Sequence, residues 1–450
     1  MRLAAPRRLG LSITAHAFAV LLGLSAPFVV HLVGDLPVAE VLVTVVIAPV
    51  LILYWKRIFR RDAIPIYILM AVWLAGQILT DIYRSTPTLD WLRGDAAIFF
   101  FVMDMALAVA LMSGNRLRQV LFFTGFGVGS LLAFKLQPNA LAEGQTWKFG
   151  LSGGVNLLVV LVSCLFFNRR QYSVTLLLLG GIGAVNLLLN YRSPVLLLLV
   201  TIALAVPIIP EQIGPWQILP PPGTRMRLVV LVSLALGAGM LASGLVKGLS
   251  SRGFLGDDAQ HKNEAQSHVK GGILLGGRPE IQVSSRAVLD SPILGHGSWA
   301  KDFKYTEMLN DLEIENGAGL EGDLDYLEEQ SKGVIPSHSH LMGAWVWAGI
   351  AGAIFWIYIF LLIGKATIYL AMQRPAYSPL VMFLFMGMLW DILFSPFGTS
   401  RRLLESVLVV MALDLVMDQM RAFPSAGRHP FRRWKRQLPR RPAPVVSAVG

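Results

Sequence analysis

At 450 residues the chain has the length of two or three soluble domains, but 54% of it is hydrophobic and only 15% charged, against about 25% charged in an ordinary soluble domain. With a mean hydropathy of +0.59, that composition predicts an all-α polytopic membrane protein and excludes a secreted disulfide scaffold, because the single cysteine, Cys164, lies in an apolar run. The net charge of +11 is segregated: residues 247–340 hold 15 of the 28 acids and 9 of the 39 basic residues, a balance of −6 against +17 elsewhere. That distribution is not a nucleic-acid footprint.

A membrane helix needs roughly 20 predominantly apolar residues. About twelve segments qualify in chain order: 11–33, 36–54, 63–82, 95–113, 120–134, 149–167, 172–189, 194–209, 228–246, 342–363, 378–394 and 403–420. They divide the chain into helices one to nine (1–246), a long loop (247–341), helices ten to twelve (342–420) and a tail (421–450) that carries eight Arg/Lys and no acid. With the N-terminus in the cytoplasm, every cytoplasmic connection is basic: Lys56-Arg57 with Arg60-Arg61, Arg116 with Arg118, Arg169-Arg170, Arg225 with Arg227, Lys365 to Arg374, and the tail. This agrees with the positive-inside rule and predicts a bacterial inner-membrane protein with both termini cytoplasmic and the long loop periplasmic. The tail is read as a lipid-facing stop signal rather than an RNA-binding segment. Three arginines break the pattern by lying on the outer side: Arg192 in Asn190–Ser193, and Arg401 and Arg402 before the last helix. Each suits an interfacial, snorkelling role; together they suit an anionic ligand such as a diphosphate.

The long loop has a predicted helix from about Arg278 to Leu289, turns at Ser291-Pro292 and Gly295-His296-Gly297, and an acidic stretch, Thr306–Gln330, that suits one or two solvated helices. Five of the eight histidines fall in it. His338-Ser339-His340 is a weak metal signal without further ligands at spacing, and Asp323-Leu324-Asp325 arises easily in an acidic run, so no metal and no cofactor is expected. Gly125 and Gly129 have the spacing of close helix packing. Asp104 and Asp391 lie within or at the edge of helices, where an ionisable group is costly and serves either packing or proton transfer.

The stretch from Gly276 reads Gly-Gly-Arg-Pro-Glu-Ile-Gln-Val, continuing to Ser291-Pro-Ile-Leu-Gly-His-Gly297, and Pro336-Ser-His-Ser-His-Leu-Met is followed by Gly349-Ile-Ala-Gly352. These elements resemble the O-antigen ligase/polymerase family, whose outer loop carries a Gly-Arg element ending in Gly-x-Gly and a later His element before GxxG; Tyr191-Arg192-Ser193 resembles its middle-helix arginine. Counting back from the two glycines selects His338 as the counterpart of the family histidine. Ser339 stands where the family usually has Asn, and Ile281 or Gln282 where it has Trp. The resemblance implies transfer of a glycan from undecaprenyl diphosphate to an acceptor hydroxyl, on a lipid A core or another lipid-linked repeat. It implies His338 as base and Arg192 and Arg278 as a diphosphate clamp, with Arg401, Arg402 and His340 as further substrate-binding candidates. Partners would be the lipid-linked oligosaccharide, the acceptor, membrane lipids and other polysaccharide export proteins. Two other classes compete: a transporter or flippase of lipid-linked glycans, and a scaffold of an export complex.

Overall fold

The computed structural model describes residues 7–31, 34–138, 140–207, 212–213, 216–217, 219–220, 224–252, 278–315 and 332–422. The Gly271–Gly277 glycines, the Asp323–Asp325 pair, most of the acidic stretch beyond 315 and the basic tail lie outside them. Of the described residues 81% are helical. In chain order the main elements are α1 (Arg7–Ser25), a short antiparallel hairpin of β1 (Val29–His31) and β2 (Asp35–Pro37), α2 (Val38–Ile58), α3 (Ile64–Arg84), α4 (Thr88–Met112), α5 (Arg116–Leu136) and α6 (Ala140–Gly144). A π-helical turn at Thr146–Leu151 leads into α7 (Ser152–Asn168), followed by α8 (Tyr172–Leu188), α9 (Arg192–Ala205) and α10 (Arg225–Ser251). The outer-loop helices are α11 (Pro279–Asp290) and α12 (Phe303–Glu315); the chain then runs through α13 (His340–Ala348), α14 (Ile350–Gln373), α15 (Ser378–Phe394) and α16 (Arg402–Ala422).

Among the described residues seven helices are long and apolar enough to cross a membrane: α2, α3, α4, α5, Thr146–Asn168, Met226–Ser251 and α14. Their outward faces carry side chains that water would not tolerate in bulk, such as Val45, Ile52, Leu53 and Met240, each more than 70% exposed. This is the surface of a bundle solvated by lipid. All twelve apolar segments fall on helices, with three changes of boundary. The first helix stops at Ser25, two residues before Pro27, and the hairpin takes up what was expected to be its outer end. Lys365, expected in a loop, lies inside α14, eight residues before its end. The segment 342–363 is not one helix.

That break is at Gly349, which adopts φ 60°, ψ −149°, a conformation essentially confined to glycine. A Cβ there would overlap the Ile293 carbonyl, to which the Ile350 N–H donates at 3.1 Å. The carbonyls that end α13 would be orphans in the bundle. Loop backbone satisfies them: His296 N–H donates to Val346 O at 2.6 Å and Gly297 N–H to Trp347 O at 3.1 Å. Thus α13 is a short helix folded back beside α14, with Gly352 against the Ala344 carbonyl.

The outer loop is built into the bundle rather than laid on it. Asp81, near the end of α3, accepts from the Ser298 N–H and hydroxyl at 2.6 Å each, and Gln77 Nε2 donates to Ser298 Oγ at 2.8 Å. Arg84 donates to the Gly295 carbonyl and the Ser291 hydroxyl. Helix α12 docks on α11 around Tyr305 and Leu309. Lys304 Nζ and Tyr305 Oη both donate to Asp290 Oδ2 at 2.7 Å, which holds that carboxyl down at about 2. At the opposite end of the bundle Asp414 ties two connections to α16, accepting from Arg60 Nη1 at 2.9 Å and from the Gly114 N–H at 2.7 Å. The small-residue spacing of α5 is close packing: a Cβ on Gly125 or Gly129 would strike the Val20 or Leu24 carbonyl of α1.

Gly349→Ala should lower the unfolding temperature in detergent by the equivalent of about 1–3 kcal/mol, the usual strain of such a backbone. Gly387→Ala, inside α15 where a Cβ meets nothing within 4 Å, should be neutral or stabilising, since alanine is the better helix former.

Candidate functional site

The depth of the site follows from helix arithmetic. Trp73 lies eleven residues before the end of α3 and Phe101 thirteen after the start of α4, so both sit ~16–20 Å below the outer helix ends at 1.5 Å per residue. Phe397 packs on both, with ring centroids 6.0 Å and 5.1 Å away. The segment 395–401 is therefore re-entrant. The N-terminus of α13 comes down to the same level: Ser339 caps it, accepting from Met342 N–H at 3.1 Å, and donates its hydroxyl to Ile392 O at 2.8 Å. A recessed floor results, made by α13's start, the end of α15 and the 395–401 segment.

Arg278 lies over this floor. It is the N-cap residue of α11, placed by Pro279, which opens helices readily because it has no N–H to satisfy. Its guanidinium donates to the Phe394 carbonyl and stacks on the rings of Trp390 and Phe394, 5.2 Å and 5.1 Å from their centroids. Burial pushes the group below its ordinary value, with Glu280 and Asp391 working the other way; arginine stays cationic throughout. Asp391 is ion-paired with Arg401. Tyr191, preceding Arg192 at the start of α9, feels the charges of both Asp391 and Arg401. Arg192 itself donates from Nε to Asn190 Oδ1 at 3.3 Å. Two of the predicted arginines, Arg278 and Arg401, thus converge on the end of α15, and Arg192 sits one residue beyond Tyr191, which approaches them.

His338 is 39% exposed, and its Nδ1 lies 3.7 Å from Glu280 Oε1. The second oxygen of Glu280 is buried and without a hydrogen-bond partner. A carboxylate so placed can steer the imidazole ring. Glu280 is the residue that sequence reasoning missed, although it stands two positions after Arg278 within the motif itself.

The other two candidates sit below the floor. His340 is fully buried, with Nδ1 2.6 Å from Ser395 O and Nε2 2.6 Å from Glu405 Oε1, inside a box formed by Trp356 and Phe397. Both ring nitrogens are committed, so His340 cannot face a ligand and does not pair with His338 as a metal site. Arg402, 4% exposed, forms a bidentate pair with the equally buried Glu40, at 2.7 Å and 2.6 Å. The Nε–Nη2 edge of its guanidinium is taken up by this pair. Both were expected to bind substrate; both instead hold the floor in place. Asp104, wholly buried, is the neighbour of this pair. Among the described residues no three His, Cys, Asp or Glu side chains gather closely enough to hold a metal.

No protein-family model, curated protein or solved structure matches the chain.

Removing one member of a buried pair strands the other charge, at about 3–5 kcal/mol. Glu40→Gln should therefore cut the yield of folded protein and lower its unfolding temperature sharply. Glu40→Met combined with Arg402→Met should recover most of the loss, because no unpaired arginine remains.

Proposed function

We propose that the protein is a glycosyltransferase of the bacterial inner membrane that moves a glycan from undecaprenyl diphosphate to an acceptor hydroxyl on the periplasmic face, as an O-antigen ligase or polysaccharide polymerase does. The observation that carries this is the grouping of Arg278, Arg401, Glu280 and His338 around the end of α15, at the N-terminus of a re-entrant helix. Cationic forks, oriented N–H groups and one imidazole are what a reaction with a diphosphate leaving group requires. A lipid-borne donor also suits a recessed floor, since its polyprenyl chain stays in the bilayer while its head reaches the arginines. The resemblance of the Gly-Arg and His elements to the O-antigen ligase/polymerase family supports the same reading.

In the proposed step His338 takes the proton of the acceptor hydroxyl. The oxygen attacks the anomeric carbon as the bond from that carbon to the diphosphate oxygen breaks, and undecaprenyl diphosphate departs with the electron pair. In-line attack inverts the anomeric centre. Arg278 and Arg401 stabilise the charge that develops on the leaving group, the largest kind of contribution such a site can make. Arg192 completes the clamp from the α9 side, and Glu280 steers the His338 ring. Arg402 and His340 act as positioning residues through Glu40 and Glu405.

The topology proposed with it has twelve crossings, both termini in the cytoplasm and residues 247–341 in the periplasm. It is supported by the meeting of the basic connections near Arg60, Ser113 and Asp414 at one end, with the site at the other. A second reading, a transporter or flippase of lipid-linked glycans, is favoured by one observation: Glu40, Arg402 and Asp104 are ionisable groups inside the bundle, where such groups often mark a transport path.

Purified protein given an undecaprenyl-diphosphate oligosaccharide and acceptor, with EDTA and without nucleotide, should transfer the glycan. His338→Ala should lower turnover about 10²-fold or more while leaving donor binding nearly intact. Arg278→Lys should be clearly impaired, because it loses the planar fork. Lipid movement between leaflets with no transfer would make the transporter the better reading. In a Cys164→Ala background, Glu307→Cys should react with an impermeant maleimide added outside cells and Arg169→Cys should not; equal labelling would overturn the topology.

A further inference from the structure

Far from this site, between the C-terminal halves of α14 and α16, a crevice of about 350 Å³ opens on the lateral surface of the bundle. Its floor is apolar, with Phe360, Leu361 and Ile368, and its upper part carries Lys365, Tyr369 and Gln419. Leu361 and Ile368 are 63% and 43% exposed, so the crevice faces the hydrocarbon rather than the bundle interior. Lys365 lies eight residues before the end of α14 and Gln419 three before the end of α16, which sets the Lys365 Cα ~12 Å in from the helix end.

A lysine at that depth is costly unless its stem reaches the interface or an anion meets it. Among the described residues no carboxylate pairs with Lys365. The charged neighbours of Tyr369 are Arg116 and Asp418, of opposite sign, so Lys365 sets the charge of the crevice. The Gln419 Oε1 atom is buried and has no hydrogen-bond partner, although buried acceptors almost always have one. The crevice therefore asks for three things together: an apolar chain along its floor, an anionic oxygen at Lys365 and Tyr369, and a hydroxyl donor for Gln419.

We infer that this crevice is a binding site for one anionic phospholipid with a hydroxyl-bearing headgroup, its acyl chain on Phe360, Leu361 and Ile368 and its phosphate on Lys365. A zwitterionic choline lipid brings the phosphate but neither net charge nor a donor for Gln419. The site stands independently of the transfer reaction, since none of its residues approaches the Arg278–His338 rim.

Full-length protein in neutral detergent, incubated with dioleoylphosphatidylglycerol or dioleoylphosphatidylcholine, tests this by native mass spectrometry and thermal unfolding. One phosphatidylglycerol should be retained about tenfold more tightly than phosphatidylcholine and should raise the unfolding temperature. Lys365→Met should bring phosphatidylglycerol down to the phosphatidylcholine level, and Gln419→Leu should weaken it several-fold. Gly364→Leu should abolish retention of both at unchanged stability, because a Cβ at Gly364 meets nothing within 4 Å and the side chain fills the crevice. Should Lys365→Met fail to fold, Gly364→Leu and Gln419→Leu decide alone. Equal retention of the two lipids, retention unaffected by Gly364→Leu, or a lipid-independent dimer that Gly364→Leu dissociates would overturn the inference.

Discussion

The bidentate contact between Arg402 and Glu40 is the constraint around which the bundle is arranged. A guanidinium inside an apolar bundle cannot be left without its counter-charge, so the start of α16 must lie against the start of α2, 362 residues away in the chain. Once these two meet, the residues just before Arg402 have nowhere to go but inward. Phe397 enters the aromatic cluster of Trp73, Phe101 and Trp356, and Arg401 is turned to Asp391 at the end of α15. One turn along α16, Glu405 takes His340 and so fixes where α13 begins. The recessed floor is the geometric result of two polar contacts that could not be made anywhere else.

The second consequence concerns the outer loop. Composition marks residues 247–341 as a separate polar unit, yet its described parts share hydrogen bonds with the helices on both sides. The loop backbone at His296 and Gly297 completes the end of α13, and Asp81 of α3 completes the loop at Ser298. Since buried backbone groups must find partners, neither side could keep its conformation without the other. Arg278 and His338, at the two ends of this structure, are held at one rim for that reason, although 60 residues separate them.

The apolar helices, seven of them among the described residues long enough to cross a membrane, were legible because the bilayer demands runs of about 20 apolar residues and the chain supplies them. The break at Gly349 was not, since glycine is common in membrane helices and this one is set apart only by the Ile293 carbonyl, which lies far upstream. Arg278 and His338 stood out by motif and register. Glu280 was in plain view inside the same motif, but an acid in the first turn of a helix ordinarily serves the helix dipole. Glu40 carried a usable signal, a carboxylate in an apolar segment, of the kind that singled out Asp104. For His340 and Arg402 the residue types suggested a ligand site, while burial decided otherwise; which of two nearby histidines or arginines turns inward is settled by tertiary packing, and no local pattern records it.

Because the pair is so distant in sequence, it also has a place in time. At roughly 5–20 residues per second, Glu40 leaves the ribosome about 20–70 s before Arg402 is made. Throughout that interval α2 holds a carboxyl group with no arginine to meet it, and the nascent bundle must keep Glu40 protonated or at the interface. The last helix, with Arg402, Glu405, Asp414 and Asp418 along it, is the least able to enter lipid by its own hydropathy. Its Arg402 finds its counter-charge only against Glu40, so the docking of this helix follows the folding of the N-terminal ones.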